Sequence, residues 1–125
     1  MALFIRPAIE LTVAPVRNPP FVTLSDGTIR NTYDVRLRNK HHEARPFALS
    51  LTSETTLTLS IEGEQTRIVE VPADSQQLVR LYLAARPEDA AADAGRTPVR
   101  IWVEDRVSGE RASVDTTFVG QETTP

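Results

Sequence analysis

The sequence predicts an all-β fold, an antiparallel β-sandwich of the immunoglobulin-like or fibronectin type with seven to nine strands. Apolar and polar residues alternate along about eight short segments, and this period of two is typical of strands with one face in a core. The segments recur roughly every ten residues and are separated by turns containing Gly, Pro or Asp, which favours a sandwich over βαβ units.

Composition limits the function classes. The chain has 125 residues, 14 basic and 17 acidic, a net charge of −3 and no cysteine. This length suits one domain, and the lack of cysteine excludes disulfides, thiolate catalysis and cysteine-ligated iron–sulfur clusters within this chain. The sequence has no block of basic residues of the kind that predicts nucleic-acid binding. No apolar run approaches the roughly 18 residues of a membrane span, and residues 1–6 are not expected to be a signal peptide.

The first predicted strand contains Ile9, Leu11 and Val13 on one face and ends at Pro15. The prolines of residues 16–20 cannot donate backbone hydrogen bonds. We therefore expect this segment to run along a sheet edge or to cross between the sheets.

Extended structure resumes at residues 21–24, and a Ser-Asp-Gly turn follows at residues 25–27. Residues 31–40 form the clearest strand of the first half. The polar residues 41–44 connect it to a strand at residues 45–51, and so short a link predicts a hairpin. The inward side chains of these two strands are predicted to be Tyr33, Val35, Leu37, Phe47, Leu49 and Leu51.

Four further strands are predicted in the second half, at residues 57–61, 78–83, 97–105 and 112–118, with an edge strand at residues 67–71. Their inward side chains are predicted to be Leu57, Leu59, Ile61, Val79, Leu81, Leu83, Val99, Ile101, Val103, Ala112, Val114, Thr116 and Phe118.

One short helical turn is predicted at residues 87–94, because a proline and two acidic residues precede an alanine run that Gly95 ends. The predicted domain organisation is an N-terminal extension at residues 1–7, the sandwich at residues 8–120 and a flexible tail at residues 121–125.

The adjacent residues His41, His42 and Glu43 are the candidate metal ligands. Two imidazoles and a carboxylate could bind copper or zinc. Adjacent side chains usually diverge, however, so we favour solvated loop residues. No nucleophile elbow is present and neither histidine has an identifiable acidic partner, so we predict no enzyme activity and no catalytic residue.

Trp102 and Arg100 are the candidate partner-binding residues. If Val99, Ile101 and Val103 face the core, Trp102 points outward, where tryptophan and arginine are frequent binding hot spots. The alternative, which we favour, is that Trp102 covers its own sheet beneath an arginine stem.

Three polar residues, Asp26, Asn31 and Asn39, are expected to bond backbone groups at strand ends. The hairpin of residues 105–110 has the same structural interpretation.

Residues 17–40 carry a family resemblance. The run RNPPFVTLSDGTIRNTYDVRLRNK resembles the opening of the C-terminal immunoglobulin-like domain of the FixG/CcoG family of cytochrome c oxidase accessory proteins. Matching elements are Arg17-Asn18-Pro19, Leu24-Ser25-Asp26-Gly27, Ile29-Arg30-Asn31, Tyr33 and Asn39-Lys40. The sequence departs from the family pattern at residues 14–16, and residues 71–75 and 104–110 also fit it.

The resemblance implies a non-catalytic domain in the periplasm, attached to a bacterial inner-membrane protein that has iron–sulfur motifs and takes part in oxidase maturation and copper reduction. Implied partners are the parent membrane domain, oxidase subunits or copper-handling proteins; the iron–sulfur clusters would belong to the parent, and this chain would hold no cofactor. The alternative is a free-standing periplasmic module of immunoglobulin-like fold. It would bind copper, or act in adhesion or as a chaperone by strand addition.

Overall fold

The computed structural model describes residues 8–16 and 19–120. Within these ranges the chain forms nine β-strands and one short α-helix. The elements are β1 (Ile9–Pro15), β2 (Val22–Thr23), β3 (Ile29–Asn39), β4 (Arg45–Ser53), β5 (Thr58–Ile61), β6 (Ile68–Val71), β7 (Ser75–Ala85), α1 (Ala90–Asp93), β8 (Arg96–Asp105) and β9 (Arg111–Val119). The predicted extension at residues 1–7 and tail at residues 121–125 lie outside the described residues, so the domain limits stay predictions.

The strands form two antiparallel sheets. The first has the order β1-β3-β7-β5, with β2 also paired to β3, and the second has the order β6-β4-β8-β9. All the pairings are antiparallel, which confirms the predicted sandwich. Of the described helices, none is long and apolar enough to cross a membrane.

The side chains that the alternation predicted to face inward form the core. Tyr33 and Leu37 of β3, Phe47 of β4 and Ile101 of β8 are fully buried, as the pattern predicted. Val79 and Leu51 are only partly buried, although they pack against the same core. Burial of side chains of this size, each stabilising by about 1.5–3 kcal/mol relative to exposure, is the main source of the domain's stability.

The first strand breaks but does not change sheets. Both β1 and β2 pair with β3, and beyond Pro15 the Val16 N–H still donates to the Thr32 carbonyl at 2.9 Å. The chain therefore stays beside β3 as far as Val16. Arg17 and Asn18 lie outside the described part of the chain, so the predicted course of residues 16–20 stays a prediction.

The predicted hairpin between β3 and β4 is wrong. β3 pairs with β1, β2 and β7 in the first sheet, whereas β4 pairs with β6 and β8 in the second. The loop between them therefore carries the chain from one sheet to the other. Asn39 stabilises this loop: its Oδ1 accepts from the His41 N–H at 2.9 Å and its Nδ2 donates to the Glu43 carbonyl at 2.9 Å. Neither edge of β3 is available to β4, because β7 occupies one and β1 and β2 occupy the other.

The helix begins later than predicted. It spans only Ala90–Asp93, because Pro87 and Glu88 lie in a turn instead. The Asp89 N–H donates to the Arg86 carbonyl at 2.9 Å, and the Arg86 N–H donates to the Asp89 carboxylate, also at 2.9 Å. The Asp89 side chain thus closes the turn and makes no helix-capping bond.

Side chains of β3 bond the backbone of β9 in the opposite sheet. Asn31 Nδ2 donates to the Val119 carbonyl and Asn31 Oδ1 accepts from the Val119 N–H, each at 2.8 Å. The Tyr33 hydroxyl donates to the Thr117 carbonyl at 2.8 Å. Burial raises the pKa of Tyr33 well above its usual range, so the hydroxyl stays a donor. These bonds join the two sheets and confirm the expected backbone role of Asn31.

Candidate functional site

A charged cluster lies at one end of the sandwich, where several strands begin or end. His41 follows β3, Arg45 begins β4, Asp105 ends β8, and Glu110 precedes β9. His41 Nε2 lies 2.7 Å from Glu110 Oε1 and 3.4 Å from Asp105 Oδ2. Arg45 Nη1 donates to Asp105 Oδ2 at 2.9 Å. Two basic and two acidic side chains therefore meet in one network.

The β8–β9 hairpin positions the two carboxylates. The Asp105 N–H donates to the Glu110 carbonyl, and the Gly109 N–H donates to the Asp105 carbonyl, each at 2.8 Å. Asp105 Oδ1 accepts from the N–H groups of Val107 at 2.9 Å and Ser108 at 3.3 Å. Gly109 has a φ of 83°, a conformation that glycine adopts without strain. The hairpin therefore has the structural role predicted for residues 105–110.

Hydrogen bonds keep both carboxylates ionised. Complete burial of Asp105 raises its pKa, but the N–H groups of Val107 and Ser108, with Arg45, outweigh this and leave the pKa below its usual value. For Glu110, the N–H of Ala8 is the largest cause of a lowered pKa, and the Ser108 hydroxyl and His41 act in the same direction against a smaller effect of burial. The cluster thus favours charge at both acids.

The candidate metal ligands His41, His42 and Glu43 do not group together. His42 Nδ1 lies 3.1 Å from Asp74 Oδ2 on the exposed surface, and Glu43 Oε1 accepts from Arg45 Nη2 at 2.9 Å. Only His41 joins the charged cluster. In the described part of the chain, the group with metal-ligand geometry is His41, Asp105 and Glu110, whose ligand atoms lie within 4.8 Å of one another.

This group fits an ion-pair network better than a metal centre. Arg45 occupies Asp105 Oδ2, and Glu110 Oε2 accepts from the Ala8 N–H at 2.9 Å. The Ser108 hydroxyl donates to Glu110 Oε1 at 2.9 Å. A cation would have to displace these donors and lie beside a guanidinium, and like charges at such a distance repel.

Sequence reasoning missed the acidic partners of His41. The expectation that neither histidine has an acidic partner is wrong, because His41 lies beside Glu110. The pairing was missed because Glu110 lies 69 positions further along the chain, and no local pattern connects the two residues. The available signal was the Asp-x-x-Ser-Gly-Glu hairpin, which holds two carboxylates beside one strand end.

The second candidate site is the outer face of β8. Trp102 points outward, as predicted, and its indole Nε1 donates to Thr52 Oγ1 at 2.9 Å. The guanidinium carbons of Arg111 and Arg100 lie 4.5 Å and 5.8 Å from the indole centroid. Arg100 also donates to Asp115 Oδ1 at 2.7 Å. The structure therefore brings Trp102 and Arg100 together, with the tryptophan half-covered by an arginine as the packing alternative expected.

A shallow depression of about 520 Å³ lies beside the tryptophan. Its lining includes Trp102, Arg100, Asp115, Thr52 and Pro98. The indole forms one wall of a concave surface that has both apolar and charged groups.

Comparison with known proteins decides the family. Residues 1–121 match the family model described as "IG-like fold at C-terminal of FixG". The chain belongs to this family. The resemblance seen at residues 17–40 is thereby confirmed, and the FixG-type domain extends over nearly the whole chain.

Three curated relatives agree. The chain is 52% identical to Protein RdxB of Cereibacter sphaeroides over 121 residues, covering 97% of this chain and 25% of RdxB. Protein RdxA of the same organism is 46% identical over 122 residues, with 95% and 26% covered. Nitrogen fixation protein FixG of Rhizobium meliloti is 39% identical over 64 residues, with 51% and 12% covered. This FixG-type domain thus spans about a quarter of the length of RdxB and RdxA.

A solved structure shares the fold. The FixG-related protein from Vibrio parahaemolyticus superposes with a TM-score of 0.76 at 16% identity, covering 90% of this chain and 96% of that one. Since this FixG-type domain contains no cysteine, it cannot hold a cysteine-ligated iron–sulfur cluster.

Proposed function

We propose that this domain is a non-catalytic accessory module in the periplasm, the C-terminal part of a membrane-bound iron–sulfur protein that serves cytochrome c oxidase assembly and copper handling. Its role is to contact other proteins: the parent's membrane domain, oxidase subunits or copper-handling proteins. Membership of the FixG family supports this proposal. The match to RdxB also supports it, because the domain covers only 25% of RdxB, as expected for one module attached to a longer protein.

The observation that supports an interaction role is the surface around Trp102, formed with Thr52, Arg111, Arg100 and Asp115. An indole fixed by Thr52 and stacked on Arg111 is already ordered before a partner arrives. Binding therefore loses little side-chain entropy, and tryptophan and arginine are the residue types most enriched at interface hot spots. The neighbouring Arg100 and Asp115 supply polar groups at its rim.

Copper chemistry belongs to the parent in this proposal. The carboxylate oxygens of Asp105 and Glu110 already accept hydrogen bonds from Arg45, Ala8 and Ser108. A site built from them would need the network to open first.

The test uses the full-length parent in its native membrane. A photo-crosslinking amino acid replaces Ser50, an exposed residue directly opposite Trp102 on β4, and a control parent has it at Glu64 in an exposed loop. We expect Ser50 to give a discrete crosslinked species that the control lacks, and Trp102→Ala to abolish it.

Trp102→Phe, which preserves much of the stacking, should retain the crosslinked species. Thermal melting of each variant separates loss of contact from loss of folding. Equal crosslinking from both positions, or none from Ser50, would contradict the proposed surface.

A further inference from the structure

The outer face of the first sheet carries unpaired positive charge. β3 directs Arg36 and Arg38 outward, and Lys40 continues the same row. Lys40 pairs with Glu10 on β1. Among the described residues, neither Arg36 nor Arg38 has a carboxylate within the 4.0 Å of an ion pair. Glu10 is the cross-strand partner of Arg38, but it is bonded to Lys40, which with Arg38 lowers the pKa of Glu10. Two exposed guanidinium groups therefore lie two positions apart on the same face of β3.

An exposed leucine lies next to them. Leu78 of β7 is the direct cross-strand partner of Arg36 and is 63% exposed. A depression of about 570 Å³ surrounds it, lined also by Arg36, Arg80, Asp34 and Glu62. At Leu78 β7 has β3 on one side only, because β5 pairs with β7 at residues 81–84. A partner that covers Leu78 can therefore also reach Arg36 and the other charges that line the depression.

The charge of this face is opposite to that of the whole chain. Its basic residues outnumber its acidic residues by five to three, although the chain has a net charge of −3. The basic residues are Arg30, Arg36, Arg38, Lys40 and Arg80, and the acidic residues are Glu10, Asp34 and Glu62. Complementary charge steers association and fixes register.

We propose that this face is a docking surface for an acidic protein segment in extended conformation. Arg36 and Arg38 are two positions apart on one strand, so their Cα atoms lie about 6.6 Å apart along it. Carboxylates at alternate positions of an extended segment have the same spacing, and each can receive a guanidinium through two parallel hydrogen bonds. An apolar residue on that segment covers Leu78.

A protein segment fits this surface better than a lipid bilayer. Glu10, Asp34 and Glu62 are interspersed with the arginines. They would repel a uniformly anionic membrane surface, whereas a protein segment can place neutral or basic groups opposite them. The face lies on the opposite side of the sandwich from Trp102, so the domain can contact two partners at once.

The binding test uses the 125-residue chain and a fluorescein-labelled peptide that has glutamate, glutamate and leucine at three successive alternate positions with serine between them, so that all three side chains point to one face when the peptide is extended. Fluorescence anisotropy should show saturable binding that weakens as salt is raised, because exposed ion pairs are screened. We expect affinity to fall by about tenfold or more in Arg36→Gln/Arg38→Gln, and also to fall in Leu78→Ser. A peptide with glutamine in place of glutamate should bind no better than background.

The matched control is Arg67→Gln/Arg86→Gln, which removes the same charge from exposed positions elsewhere. It should leave affinity unchanged, and all variants should melt at the wild-type temperature. The proposal is overturned if the acidic peptide does not bind, if the control loses as much affinity as the Arg36/Arg38 variant, or if only vesicles containing anionic phospholipid bind. Because this assay involves neither the parent nor Trp102, its failure leaves the proposed function standing.

Discussion

Replacing Asp105 with alanine should destabilise the domain severely. The Asp105 side chain is 0% exposed and Arg45 is 10% exposed, so the substitution leaves a buried guanidinium whose remaining acidic neighbour, Glu43, is 72% exposed. The N–H groups of Val107 and Ser108 also lose their acceptor. Removing one partner of a buried ion pair costs about 3–5 kcal/mol. For a domain of this size, this corresponds to a fall in Tm of roughly 10–20 °C.

Asp105→Asn is the matched control. It retains a side-chain oxygen for the two N–H groups and removes the charge, so it should cost less than the alanine variant. A double-mutant cycle with Arg45→Met isolates the pair, since the double variant should cost less than the sum of the single variants. Thermal melting and urea unfolding, followed by circular dichroism, measure each term. A cost below about 1 kcal/mol for Asp105→Ala, or additive effects with Arg45→Met, would refute the reasoning.

Three further outcomes test other parts of the fold. Tyr33→Phe removes the donor to the Thr117 carbonyl and should cost about 1–2 kcal/mol in urea unfolding, because a partly buried acceptor loses its partner. Gly120→Ala should cost about 1–3 kcal/mol or more, since a Cβ atom there would lie 2.1 Å from the Ala91 carbonyl oxygen. The free energy of unfolding should fall as pH drops below about 4, because the pKa of Glu110 is lowered in the folded state. Such a group stabilises the fold above its unfolded pKa and loses that contribution as pH falls. Glu110→Gln should therefore flatten the dependence of stability on pH.

Each of these outcomes has a contrasting result. Gly63→Ala is the control for Gly120→Ala, because a Cβ atom at Gly63 meets nothing within 4 Å and only its φ of 79° is unfavourable. Equal costs at the two glycines would contradict the packing argument. Wild-type stability in Tyr33→Phe would show that the bond to β9 contributes nothing. An unchanged acid dependence in Glu110→Gln would assign the loss to other carboxylates.

The strand faces could be predicted because they depend on local pattern. Alternation along β3 and β8 identified Tyr33, Val35, Ile101 and their neighbours as core, and the outward direction of Trp102 followed from the same period of two. The turn at Gly27, with a φ of 89°, was also predictable, since glycine adopts positive φ without strain. These features need only a few consecutive residues.

The sequence by itself determined which side chains of each strand face the core, where the turns lie and to which family the chain is similar. Only the tertiary structure decided which strands are neighbours: β3 and β4, adjacent in the chain, lie in different sheets. The same holds for the site, where the side chains of His41, His42 and Glu43 bond three different residues, Glu110, Asp74 and Arg45. The physical reason is that backbone hydrogen bonds between strands are alike for nearly all residue types. The choice of partner therefore depends on how the whole set of apolar faces packs.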